Sequence, residues 1–590
     1  MCERMAHQNE VSLTTVSVIV FFSVCFFAFT FFGAIHRIEN AIGEESLRSI
    51  SSTNGIQKSS DSVNDQCFIN STTGPIEGHV LIMNGKKVCE YIGIPYARPP
   101  VGRLRFKRPV PMKVWNKPWI ADQWPASCIQ TFPDWAKFMM RRVVNETNED
   151  CLYLNVWSPM DSQDPPINGP DVSEYLKPII FWIHGGGYQF GSGTLEETNG
   201  STLAFHTNSV IVTINYRLNA FGFLNLQSFM ESHSPNDPSS IQGNQGLYDQ
   251  AMALDWIHSN GNRFYGDQSK ITLWGQGMGG ISISIHLISP LMKNRFQRAI
   301  IQTGSMFTSR QMYSNGDIIG EQFINLLGCD GYIDGDYDHN LDSGKKDEEL
   351  EKDVLDGSLI DCIQKKSVEE IRAVVAEMNG KNPISFLFTP FETFLNSSSP
   401  TEIKSDLKTH IHPTVTDIIF GFNSDEGSLL LNSLLPQTFP SITDLKIPNV
   451  SSVEEGKEIL TKLFVQRLHV AKAVIDVGIS SAFSNIPTSF TYDHGEKQKI
   501  LKSMIDFVGN NIFVCPTILY AQEVSNQVKN VSVHLYSYTK RSSYNKLPDW
   551  FGMSTFYFTL FLPYFTVIFL NITVFYSYFP EYYSILQLFS

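Results

Sequence analysis

The sequence predicts an α/β fold, a central and mostly parallel β-sheet flanked by helices, and two observations predict it. Short unbroken apolar runs of strand length occur at 178–183 (PIIFWI), 209–214 (SVIVTI) and 271–274 (ITLW). Runs of that kind suit strands buried on both faces. Between the last two lies 249–257 (DQAMALDWI), whose apolar spacing suits a helix. Strand, helix, strand in this order argues for a parallel sheet covered on both faces. A chain of 590 residues admits several ordinary domains or one large domain with insertions, so motifs must decide between them.

Taken from the N-terminus, residues 1–15 read as a short cytoplasmic segment. Residues 16–35 (VSVIVFFSVCFFAFTFFGAI) carry no charge and are long enough to span a bilayer, which predicts a signal-anchor. A cleaved signal peptide would have a shorter apolar region and a small-residue cleavage site, and cleavage would make the protein secreted. Orientation comes from N-x-[ST] acceptors at Asn70, Asn145, Asn199, Asn396, Asn449 and Asn530. These six sites in the expected body, with paired cysteines, predict a lumenal or extracellular body: a type II single-pass protein of the plasma membrane. Residues 44–65 are polar and serine-rich, too poor in apolar side chains to bury, and read as a stalk. The body is expected over 66–550. Within it, 334–361 is a charged stretch that reads as a solvated insertion.

Composition excludes some functions. A formal net charge of −14 and the lack of a basic stripe argue against a nucleic-acid partner. No cluster of ligating side chains suggests a metal, and no cofactor is expected. Residues 271–280 (ITLWGQGMGG) have the layout of a nucleophile elbow, where a strand turns sharply into a helix and glycines permit the tight approach. In G-x-S-x-G a serine occupies the centre, but here the centre is Gly277, which has no side chain to acylate. Ser282 and Ser284 lie further along the same helix, where side chains would not project at the site.

Several segments now carry a resemblance in order and spacing. They are 91–97 (YIGIPYA) with 99–106 (PPVGRLRF), 149–156 (EDCLYLNV), 182–187 (WIHGGG), 215–218 (NYRL) and 243–250 (GNQGLYDQ). Together they resemble the type-B carboxylesterase and cholinesterase family over about 74–550. The resemblance implies an α/β-hydrolase fold and a Ser, Glu and His triad. It puts the acid on Glu426, within Asp425-Glu426-Gly427-Ser428, and the oxyanion donors on the backbone N–H groups of Gly186, Gly187 and Met278. The serine position is Gly277. The family's histidine follows a P-x-W segment; here 548–554 (PDWFGMS) leads into Thr555, and no His follows. His494 precedes Cys515 and reads as a loop histidine, while His184 reads as a structural hydrogen-bonder. The resemblance also implies disulfides Cys128–Cys151 and Cys329–Cys362, with Cys515 as half of a third bridge whose partner would lie further along. Cys67 with Cys89 is an extra candidate pair. Trp135 precedes Cys151, but its spacing departs from that of the family's choline-binding tryptophan.

After Trp550 the expected last elements give way to 551–580, a stretch without any charge, so the fold reads as truncated at its C-terminus. Two readings stand for 556–578: a second membrane span, or sequence foreign to the native chain. The resulting expectation is a non-catalytic, cholinesterase-like surface protein, similar to the group of neuroligins, neurotactin and gliotactin, that binds an extracellular protein partner in adhesion or reception. The identity of the partner and homodimerisation both stay open. The alternative is a carboxylic ester hydrolase that uses unrecognised residues or whose site this sequence misrepresents.

Overall fold

The structure, a computed structural model, describes residues 57–58 and 67–538 apart from 131–146, 162–163, 166–172, 227–240, 242, 310–315, 331–358, 382–409, 436–437, 440–447, 449, 468–471, 485 and 487–493. The expected anchor 16–35, nearly all of the stalk 44–65 and the tail 556–578 with Thr555 therefore lie outside the described residues. So do Asn145, Asn396, Asn449 and Trp135.

Ten strands form the main sheet: β1 (Gln57–Lys58), β2 (His79–Met83), β3 (Lys86–Pro95), β4 (Tyr153–Met160), β5 (Lys177–Ile183), β6 (Val210–Ile214), β7 (Gly266–Gln276), β8 (Arg298–Gln302), β9 (Asp417–Asn423) and β10 (Ser532–Tyr538). Their order is β1-β2-β3-β4-β6-β5-β7-β8-β9-β10. The first strands pair antiparallel through β4 with β6. Every pairing from β6–β5 onward is parallel. The fold is thus of the α/β-hydrolase type, with a mixed, mostly parallel sheet and flanking helices.

Alternate residues of the central strands supply opposite faces, as the period of two requires. Ile179, Phe181 and Ile183 of β5, with Ile271 and Leu273 of β7, join a core that includes Leu247, Leu254 and Ile257 of α1 (Gln245–Asn260) and Ile283 and Ile285 of α2 (Met278–His286). The intervening Ile180 and Trp182, with Trp274 and Ile300, pack on the other face against Leu203 and Ala204. The indoles of Trp182 and Trp274 meet edge to face at 5.0 Å. Each fully buried large apolar side chain of this kind stabilises by about 1.5–3 kcal/mol, which explains why these runs show no polar alternation.

Two satellite cores flank the sheet. One gathers α3 (Gly316–Leu327), α4 (Leu359–Lys365) and α5 (Val368–Lys381) around Phe323, Ile363 and Ile371, stapled by Cys329–Cys362. The other packs α6 (Gly427–Leu434), α7 (Val453–Thr461), α8 (Lys472–Ala482) and α9 (His494–Gly509) around Leu431, Leu460, Ile479 and Met504. The apolar helical run Lys497–Gln527 is long enough to cross a bilayer, yet it spans α9 and α10 (Cys515–Gln527) and contributes to both this core and the sheet core. Ile500 and Met504 in α9 and Tyr520 and Val524 in α10 are fully buried.

Candidate active site

The elbow forms where β7 stops at Gln276 and α2 starts at Met278. Gly277 between them has φ 57° and ψ −121°, a conformation that L side chains rarely adopt. Its N–H donates to the Gln302 carbonyl at 2.8 Å, and its own carbonyl accepts from the Ile281 N–H at 2.9 Å. Around it the helix is wedged against the sheet. A Cβ on Gly279 would lie 2.1 Å from the carbonyl oxygen of Ile183 at the end of β5, so glycine is required there by contact alone. A Cβ on Gly277, by contrast, would meet nothing within 4 Å. The site therefore leaves room for a side chain at the one position where the chain supplies none.

The loop after β5 carries the expected oxyanion donors. Gly186 and Gly187 both have positive φ, 107° and 66°, and a Cβ on Gly186 would fall 2.0 Å from the Phe190 carbonyl oxygen. The Gly186 carbonyl accepts from the N–H groups of Gln189 and Phe190, which folds the loop back on itself. Met278 is the first residue of α2, where a backbone N–H has no carbonyl of its own helix to meet. Both loop glycines and Gly277 are half-buried.

On the acid side, Glu426 follows β9 and immediately precedes α6 without making a capping bond to it, and it is only 2% exposed. Its Oε1 accepts from the Thr303 hydroxyl at 2.5 Å and from the Asn423 N–H at 2.7 Å. Thr303 follows Gln302, whose carbonyl holds Gly277 and whose side-chain amide donates to the Tyr536 hydroxyl at 2.9 Å. Tyr536 is held well above the usual phenol range, first by burial and also by the nearby Glu426 charge. A continuous chain of contacts thus runs from elbow to acid through the end of β8. Sequence reasoning missed Thr303, Gln302 and Tyr536. The polar QTGS at 302–305, directly after an apolar strand run, was the available signal for the first two.

The other polar candidates are accounted for. Ser282 shares hydrogen bonds with Tyr188 at 2.8 Å and Gln250 at 3.2 Å, and Ser284 donates to the Ile281 carbonyl at 2.6 Å. Both are fully buried. His184 stacks on Tyr216 with ring centroids 4.3 Å apart, and its Nδ1 lies 2.9 Å from the Gly185 oxygen. Burial pushes its pKa down to about 4. His286 on α2 meets Gln250 Oε1 at 2.8 Å and is pushed down by burial to about 3. His494 is a correction: it is the first residue of α9 and not a loop residue, because the apolar periodicity that follows it is already helical.

Disulfides join Cys67 with Cys89, Cys128 with Cys151 and Cys329 with Cys362. Cys515 is also disulfide-bonded, although the sequence has no cysteine further along, where the resemblance puts its partner. Of the described sequons, Asn70 and Asn530 are exposed, while Asn199 is half-buried and accepts from the Ser201 N–H at 2.9 Å. No group of metal-ligating side chains occurs among the described residues.

Comparison with known proteins finds a match between residues 65–569 and the model of the carboxylesterase family. That match begins before the motif resemblance and runs past its end at Trp550. An acetylcholinesterase of Leptinotarsa decemlineata is 29% identical over 504 residues, covering 83% of this chain and 72% of the relative. Acetylcholinesterase-1 of Trittame loki is 29% identical over 493 residues, covering 82% and 78%. An acetylcholinesterase of Bungarus fasciatus is 27% identical over 502 residues, covering 82% and 71%.

Proposed function

Because the chain belongs to the carboxylesterase family, we propose that it is a non-catalytic member of it, a cell-surface protein whose body binds an extracellular protein partner in adhesion or reception. The observation that carries this reading is Gly277: an elbow with its strained backbone, its wedged helix and its open space, and no hydroxyl at its centre. Acyl transfer needs a nucleophile, and in a comparable triad its loss alone lowers turnover by about 10⁶. The sequence adds Thr555 where the family's histidine stands. We further propose that residues 16–35 anchor the protein in the plasma membrane with the body outside. Three disulfides among the described residues support an oxidising compartment for that body.

The test pairs two measurements on the full chain expressed in cells. An organophosphonate probe leaves it unlabelled, and surface biotinylation with glycosidase treatment finds a glycosylated body outside the cell. Cells displaying the chain then retain cells or proteins that control cells do not. Labelling at any residue of the body overturns the non-catalytic reading, and absence of any partner above background overturns the binding role.

A second reading, a carboxylic ester hydrolase using residues beyond the familiar triad, has one observation in its favour. Glu426 keeps its carboxylate buried and doubly hydrogen-bonded on the elbow side of the sheet. The same labelling experiment decides for it.

A further inference from the structure

The two edges of the main sheet are built differently. At one edge, β1 is two residues long and carries Lys58. At the other, β10 is seven residues long (SVHLYSY), without proline and without Asp, Glu, Lys or Arg. Its register with β9 runs unbroken from Ser532 opposite Asp417 to Tyr538 opposite Asn423, so no bulge interrupts it. Shortness, charge, proline and bulges are the devices that keep a sheet edge from pairing with another strand. β1 has the first two of these, and β10 has none.

Hydrogen bonds fix which residues of β10 face outward. The Ser532 N–H donates to the Thr416 carbonyl at 2.8 Å, and the Tyr538 carbonyl accepts from the Ser424 N–H at 3.1 Å. Successive residues of a strand direct their backbone groups to opposite sides, so Ser532, His534, Tyr536 and Tyr538 bond toward β9. The N–H and C=O groups of Val533, Leu535 and Ser537 point the other way and have no partner among the described residues. Side-chain burial breaks off at the same place. Val533 packs against the sheet core, and Phe420, the β9 neighbour of Leu535, is fully buried, yet Leu535 itself is 47% exposed.

We propose that the β10 edge pairs antiparallel with β10 of a second copy of this chain, joining the two sheets across a two-fold axis at Leu535. In that register Leu535 lies opposite its own copy, and Val533 lies opposite Ser537. Every outward N–H and C=O of the three residues then finds a partner, because residues that face each other this way in an antiparallel ladder exchange both bonds. The two Leu535 side chains meet on one face and cover each other. A copy suits the edge better than an unrelated strand does. The strand brings no charge against itself, although the chain as a whole carries −14. The contact is also self-complementary, so it closes both edges at once, and the short β1 edge cannot carry the sheet further. One strand and one leucine per copy make a small contact, so the dimer is weak and concentration-dependent. The inference goes beyond the proposed adhesion role and holds whether or not the elbow is catalytic.

Sedimentation equilibrium of the full-length chain in density-matched detergent reads the association. The wild type passes from monomer to dimer as its concentration rises. Leu535→Lys sets two like charges opposite each other and weakens association about tenfold, with the thermal midpoint unchanged because the side chain is exposed. Ser537→Pro removes one outward N–H without touching the bonds to β9 and weakens it several-fold. Leu535→Cys reads the two-fold axis directly. A directly opposed, bonded pair has Cα atoms about 5.5 Å apart, within disulfide range, so oxidation links two copies through the substituted position, as mass spectrometry identifies. Val477→Cys, at a 73% exposed position of α8, forms no such link. A wild type that stays monomeric to its highest soluble concentration overturns the proposal, whether its Val533, Leu535 and Ser537 amides exchange freely with deuterium or are shielded by other residues of the chain. So does a dimer that survives Leu535→Lys, or one that links through Val477→Cys and not through Leu535→Cys.

Discussion

The two halves of the candidate site differ in what has been kept. At the end of β7 the turn of an elbow is present and Gly277 supplies no side chain. At the end of β9 the side chain itself, Glu426, is present with its hydrogen bonds intact. Packing accounts for both. Gly279 cannot change without driving a Cβ into the end of β5, and Glu426 cannot leave without stranding two buried donors. Neither half therefore measures catalytic use. Gly277 is the one position of the set where the surroundings impose nothing on a side chain, so its identity is the informative one.

The sharpest way to break this comparison is Gly279→Ala. A methyl group at 2.1 Å from the Ile183 oxygen forces α2 off the sheet, and a loss of about 3 kcal/mol or more is expected. Denaturant unfolding of the variant measures it. A loss below 1 kcal/mol would show that the elbow is not held by packing, and its survival would then need another cause.

Glu426→Ala comes next. It leaves the Thr303 hydroxyl and the Asn423 N–H without their acceptor in a buried place, at a cost of about 2 kcal/mol. Glu426→Gln keeps an acceptor oxygen and loses less. If both variants unfold at the wild-type midpoint, the carboxylate is not structural, and the hydrolase reading gains.

This half of the site also shows where sequence reasoning stopped. The three central strand runs, the helix after Asn244 and the elbow were legible because burial on both faces leaves an uninterrupted apolar signature and the tight turn leaves glycines. Glu426 was reached through Asp425-Glu426-Gly427-Ser428. Its partner Thr303 was not, because it comes from β8, 123 residues away, and no local period encodes a contact between strand ends. The helical layer under Leu431 and Met504 was equally silent: its apolar faces are short and fall on four separate helices. The bulge at Gly93, where β3 loses register with β4, leaves no sign beyond one glycine in a strand.

Acid should loosen the scaffold half first. His184 in the oxyanion loop and His286 on α2 are held neutral by burial, with pKa values of about 4 and about 3 against an ordinary 6.5. Between 6.5 and those values the unfolded chain binds protons that the folded chain does not. Stability is therefore full above pH 6.5 and falls as pH drops through that window, by at most roughly 1.4 kcal/mol per pH unit for each histidine. His286→Gln should flatten the decline between pH 6.5 and 5.5 in urea unfolding. An unchanged slope would mean that His286 titrates alike in both states.

The smallest expected effect is Gly277→Ser, and it bears most directly on function. The backbone at φ 57° strains any L residue by about 1 kcal/mol, but the added side chain enters open space, so the variant should fold with only a slightly lowered midpoint. A serine alone is a weak nucleophile, because its hydroxyl keeps its proton unless a base stands within hydrogen-bond reach. On the non-catalytic reading proposed above, in which Thr555 stands at the histidine position, the variant should stay unreactive toward an organophosphonate. Rapid labelling of Gly277→Ser, with none in the wild type, would mean that a base reaches the elbow from residues outside those described here. The acid half would then be a live relay lacking only its nucleophile, and the two halves would differ by a single side chain.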